Sequence, residues 1–162
     1  MSAKAKRRLM TQDLAHMKEF NDQPPGKGCI HAYPDQKNIL KWRALIQGLE
    51  GPWQDGVFEL EMNFPEDYPQ YPPKVKFITP IFHPNVYNNG NICLDILQKE
   101  WSSAYDVKSI LYSIQLLLNE PNPESPANHQ ASDLYRQYKE KGDTQYMEEV
   151  RKCVAESIKT NK

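Results

Sequence analysis

"HPNVYNNGNICLDIL", residues 83–97, decides how the rest of the chain is read. It follows neither a helical nor a strand period. It holds His83 fixed before Pro84, an asparagine-rich turn ("NNGN", 88–91), and Cys93 between Ile92 and Leu94. Three chemistries are open to that cysteine. Free cysteine is among the most buried residue types, and its apolar neighbours suit packing. A zinc ligand would need further Cys or His at short spacing, and no CxxC or HxxxH accompanies it. Cys29, His31 and His129 could join it only through folding. A nucleophile of the protease kind needs a histidine base and a group to orient it, and His83 stands nearest. Rigid, turn-rich segments are where functional side chains concentrate. Asn85 offers an amide donor, Tyr87 a hydroxyl and a flat wall, and Asp95 a carboxylate. A thiol beside an amide donor suits acyl transfer, whose oxyanion needs a donor aimed at it.

Outward from this stretch, periodicity returns on both sides. Upstream, "VFELEMNF" (57–64) alternates Phe58, Leu60, Met62 and Phe64 with polar residues, which predicts a half-buried strand. "NILKWRALIQG" puts Leu40, Trp42, Ala44 and Ile46 on one face. "KVKFI" (74–78) and residues 28–33 give two further short strands, and turn signals between them predict an antiparallel meander. Before the strands, residues 4–20 read as an amphipathic helix with Met10, Leu14 and Met17 on its buried face, ended by "PPG" at 24–26. Lys4, Lys6, Arg7 and Arg8 crowd its first turns. Downstream, "DVKSILYSIQLLLNE" carries a wide stripe of Val107, Ile110, Leu111, Ile114, Leu117 and Leu118, with Asp106 as N-cap. "EPNPESP" stops that helix. Two more helices are expected near 128–140 and 143–159, separated by Gly142 as a C-terminal cap. Helix, four strands, a long structured loop and three helices make an α+β chain.

The 162 residues suit one domain, 1–162, large enough to bury a core without disulfides or metal. The net charge of −1 gives no reason to expect direct nucleic-acid binding. No apolar run reaches the roughly 20 residues of a membrane span. Cys29, Cys93 and Cys153 are too scattered for a disulfide framework, which points to a reducing compartment, cytosolic or nuclear. The thirteen prolines, interleaved with aromatic residues, fix loop shapes.

The quoted stretch, followed by Trp101, resembles the active-site signature of ubiquitin-conjugating enzymes. "YPQYPPKVKF" before it and "EWSSAYDVKSILYSIQLLLNEPNPESPAN" after it resemble the family's flanking segments, so the likeness covers nearly the whole chain. The resemblance implies the family's α+β fold, with a short C-terminal helical extension. It implies that Cys93 accepts ubiquitin as a thioester from the activating enzyme and passes it to a substrate lysine or a ligase. Asn85 would stabilise the oxyanion or brace the loop that does. His83 would tie the loop structurally, and Tyr87 and Asp95 would line the lysine's approach. Ser125 falls where many members are acidic, and phosphorylation there would restore a negative charge.

Charging of this kind is thiol–thioester exchange, which requires no triad histidine. The short "QKE" between "CLDIL" and Trp101 favours ubiquitin over modifiers whose conjugating enzymes carry an insertion there. The alternatives are an enzyme for a ubiquitin-like modifier, or a non-catalytic ubiquitin-binding scaffold. Within the family the chain looks closest to the subgroup of post-replication repair and histone ubiquitination. Implied partners are ubiquitin, the activating enzyme, a RING-type ligase and substrate lysines. No cofactor is expected on the chain, since ATP and magnesium serve the upstream enzyme. Arg7, Gln70, Tyr71, Ser102 and Ala104 correspond to the ligase and activating-enzyme surface. Tyr112 and Leu116 correspond to the surface under donor ubiquitin, although by packing alone Tyr112 reads as helix surface and Leu116 as core. Ser103 stands where the family usually has proline, a departure expected to loosen that loop.

Overall fold

The computed structural model describes residues 3–161. A first helix, α1, runs through three consecutive segments: α-helical Ala3–Arg8, a π-helical turn Leu9–Asp13, and α-helical Leu14–Asn21. Four strands follow, β1 Ile30–Pro34, β2 Lys41–Gln47, β3 Val57–Asn63 and β4 Lys74–Phe77. Three helices close the chain: α2 Val107–Asn119, α3 His129–Lys141 and α4 Gln145–Thr160.

The strands form an antiparallel sheet in the order β1-β2-β3-β4. The period of two sends Trp42, Ala44, Ile46, Phe58, Leu60 and Met62 into the core and leaves charged residues outside, where Arg43 reaches Glu59 at 2.9 Å. The full α2 stripe from Val107 to Leu118 lies in the same core. Asp106 caps α2 with a complete capping box: its carboxylate accepts from Ser109 N–H, and Ser109 Oγ accepts from Asp106 N–H. Gly142 ends α3 in the left-handed conformation, φ 70°.

α1 covers the expected residues 4–20 and stops at Asn21, before the prolines. Its buried face matches the expectation at Met17 and departs from it at Met10. Its buried residues are Ala5, Leu9, Asp13 and Met17, and Met10 is 59% exposed. Four-residue steps overshoot an α-turn by about 40° each, so in a regular helix this row would drift off the core. The wider π-turn absorbs that drift and keeps the row buried.

Candidate active site

The segment between β4 and α2 has little regular structure, only a 3₁₀ turn at Asp95–Leu97 and isolated bridges. Its shape comes from hydrogen bonds to neighbouring elements. Phe77 N–H donates to Gly90 O at 2.9 Å, and Lys76 bridges Asn91, which ties the turn to β4. Gly90 has φ +93°, and a Cβ there would lie 2.2 Å from Phe77 O. Glycine is therefore required by both conformation and space. Val86 bridges Ile92, and Cys93 N–H donates to Asn85 O at 2.8 Å. Asn85 and Cys93 thus face each other across a narrow hairpin, with Tyr87 47% exposed on its turn.

His83 is fully buried, its ring 6.0 Å from that of Trp53. Nε2–H donates to Leu117 O at 2.8 Å, and Nδ1 accepts from Asn85 N–H at 3.0 Å. These partners select one neutral tautomer. Burial pushes the imidazole down to about 4, against the smaller opposing pull of the α2 carbonyls. Both nitrogens are occupied inside the protein, so His83 has no free position from which to act as a base toward Cys93.

Asn85 is also fully buried. Its Nδ2–H groups donate to Asn122 O at 2.8 Å and Ser125 O at 2.7 Å, while Oδ1 accepts from Asn122 N–H at 2.8 Å. Ala127 N–H and Asn128 N–H both donate to Pro84 O. The 83–85 segment is thereby fastened to the 122–128 loop. Of the two roles open to Asn85 in the sequence, its contacts are those of a brace.

Cys93 is half-buried, consistent neither with full burial in the core nor with a free surface position. Asp95 is exposed at the start of the 3₁₀ turn, and Ser125 is half-buried beyond the brace. Among the described residues no group of three or more His, Cys, Asp and Glu gathers to hold a metal. Cys29 is buried, and burial pushes the Cys153 thiol up.

Arg7, Gln70, Tyr71, Ser102 and Ala104 are all exposed, and the segments that carry them are joined by hydrogen bonds from Arg8 to Ser103 O and from Trp101 to Pro69 O. The loop at 102–106, which carries Ser103, is fastened to α1 by two hydrogen bonds. Arg8 donates to Ser103 O at 3.0 Å and to Tyr105 O at 2.8 Å. Tyr112 and Leu116 are 50% and 38% exposed on α2, so Leu116 is not the core residue that packing alone suggested. It falls at the outer edge of the stripe, one helical turn from Tyr112.

Sequence reading missed Trp53, Asn122 and Asp13. Trp53 in "GPWQDG" carried a signal, a large aromatic residue inside a turn. Asn122 acts largely through its backbone, which no side-chain pattern reveals.

Residues 11–154 match the family described as ubiquitin-conjugating enzyme. The chain is 49% identical to ubiquitin-conjugating enzyme E2 2 of Candida glabrata over 162 residues, 99% of this chain and 91% of that protein. It is 49% identical to the Saccharomyces cerevisiae protein of the same name over 158 residues, 97% and 86% of the two chains. Among solved structures it is similar to the H. polymorpha ubiquitin conjugating enzyme Pex4p, solved in complex with the soluble domain of Pex22p. That likeness has a TM-score of 0.85 at 30% identity, covering 96% of this chain and 98% of that one.

Proposed function

We propose, for a chain that belongs to the ubiquitin-conjugating enzyme family, that ubiquitin is carried as a thioester on Cys93 and that the buried frame of His83 and Asn85 holds that thioester for attack. The chain is a transferase of protein ubiquitination and works with ubiquitin, an activating enzyme and ligases. In charging, Cys93 Sγ attacks the thioester carbonyl on the activating enzyme. A new S–C bond forms, and the activating enzyme's thiol leaves. In discharge, a lysine amine attacks the same carbonyl, an isopeptide bond forms, Cys93 leaves as thiolate, and the amine proton passes to solvent or the thiolate. Tyr87 and Asp95 border the lysine's approach. Desolvation beside Tyr87 favours the neutral amine. Arg7, Gln70, Tyr71, Ser102 and Ala104 form the docking surface for the activating enzyme and a RING-type ligase. Tyr112 and Leu116 offer an apolar seat for donor ubiquitin. ATP and magnesium are consumed upstream. A place in DNA repair and in the nucleus and cytoplasm belongs to the same proposal, supported by the sequence likeness to the repair subgroup.

The observation that carries this reading is Cys93 held half-buried on a braced hairpin. Incubation with activating enzyme, ATP, magnesium and ubiquitin, followed by gels with and without reductant, tests it. Wild type gives a reductant-sensitive adduct, Cys93→Ser a reductant-resistant ester, and Cys93→Ala none. An adduct that survives in Cys93→Ala, or is absent from wild type, refutes the assignment.

A further inference from the structure

Asp13 ends the π-turn of α1 and is fully buried. A buried carboxylate is costly unless it is paired and hydrogen-bonded. Here the partners come from separate parts of the chain. Arg8 Nε donates to Oδ1 at 3.1 Å. The Tyr68 hydroxyl, from the loop between β3 and β4, donates to Oδ2. The N–H of Val107, first residue of α2, donates to the same oxygen at 3.2 Å. Arg8 continues outward to Ser103 O and Tyr105 O. Trp101 Nε1–H closes the ring by donating to Pro69 O at 2.9 Å. The Trp101 ring lies 6.1 Å from Tyr68 and 5.7 Å from Tyr105. α1, which displays Arg7, and the loop that displays Gln70 and Tyr71 therefore meet on one carboxylate, and the segment that displays Ser102 and Ala104 is joined to it through Arg8 and the adjoining Val107.

The geometry points to Asp13 as a positioning residue that holds α1, the 64–73 loop and the 102–106 loop in fixed relation, so that the docking surface meets the activating enzyme preassembled. The inference rests on the reading of that surface given above. A rigid face avoids the ordering cost that a mobile one meets on binding. None of the hydrogen bonds of Asp13 runs to the 83–97 segment, so its loss should weaken docking and leave the chemistry at Cys93 intact.

Steady-state charging of the full chain, at varied chain concentration, separates the two effects. Asp13→Asn keeps the side chain's shape and removes the charge that Arg8 answers. It should raise KM for the chain about tenfold and leave kcat within about twofold, the pattern of lost binding without lost chemistry. Amide hydrogen exchange should rise in 66–72 and 102–106 and stay unchanged in β2 and β3. Val150→Ala truncates a buried side chain on α4, away from this cluster, and should lower stability with KM unchanged. An unchanged KM in Asp13→Asn overturns the proposal. So does an equal KM rise in Val150→Ala, which would reduce the effect to stability. Arg7→Ala and Tyr71→Ala test the surface itself. If neither raises KM, the surface reading fails and the inference falls with it. If they raise KM while Asp13→Asn does not, only the positioning role fails.

Discussion

Acidification should unlock the active-site frame through His83. In the folded chain burial holds the imidazole down to about 4, whereas an unfolded histidine titrates near about 6.5. Between these values the unfolded chain binds a proton that the folded chain refuses, so stability is complete above the unfolded value and falls with pH. At pH 5 the loss from this group is about 2 kcal/mol, and the full shift amounts to about 3 kcal/mol below pH 4. The structural cost is specific: a proton on Nδ1 displaces the Asn85 N–H it now accepts. Buried carboxylates also respond to acid. Burial works to raise Asp106, but hydrogen bonds from His16 and Ser109 outweigh it and hold it below the usual carboxylate value, so its contribution to stability is lost at lower pH than that of His83. Asp13, raised by burial, works in the opposite sense. The measurement is therefore a difference. Urea unfolding at pH 7.5 and pH 5 is compared between wild type and His83→Gln, whose amide can donate to Leu117 O and accept from Asn85 N–H. A constant stability loss in the variant cancels in this comparison. Wild type should lose about 2 kcal/mol more than the variant on going to pH 5. Equal losses, or a His83 ring resonance titrating near pH 6.5 by NMR, would refute the reasoning.

Asn85→Ser should still charge but discharge onto free lysine on the order of a hundredfold more slowly, the cost of a misplaced reacting group. If Asn85 acts as a brace, hydrogen exchange at Asn122 rises with that loss; slower discharge with unchanged exchange would instead favour direct contact with the oxyanion. Gly90→Ala should cost roughly 2–4 kcal/mol in urea unfolding, because φ is positive and the Cβ meets Phe77 O. Deleting exposed Gln12 should convert the π-turn to regular helix, since Ala5, Leu9, Asp13 and Met17 would then be spaced four, three and four apart. The melting temperature should hold within about 2 °C, and a fall of more than about 5 °C would show that the π-turn itself is needed.

The strands and α2 were legible because burial on one face imposes a period, and Phe58, Leu60, Met62 and the Val107–Leu118 stripe carry it without interruption. In α1 the signal misled. Met10 is apolar at a plausible spacing yet exposed, and the true buried row includes a carboxylate. A hydrophobic pattern has no way to register Asp13, whose burial is made possible by Arg8, Tyr68 and Val107, partners that folding brings together. The same holds at the candidate site. Cys93, His83 and Asn85 stand out in the sequence, but their roles depend on the carbonyls of Leu117, Asn122 and Ser125.

Those carbonyls change what kind of catalyst this loop can be. In a hydrolase a buried histidine next to a cysteine hairpin would be poised to take the thiol proton. Here Nε2–H is held by α2 and Nδ1 by the backbone of Asn85. The Asn85 amide is in turn held by the 122–125 loop. The histidine and the asparagine of the "HPN" segment are thus engaged in holding shape. Such a site is poorly suited to activating an inert amide, which needs a base and a nucleophile made stronger by it. It suits an acyl group that arrives already as a thioester, for which holding the carbonyl and the incoming amine in line supplies much of the rate. That His83 is not free to act as a base and that its segment is fastened to α2 and the 122–125 loop are therefore two consequences of the same hydrogen bonds.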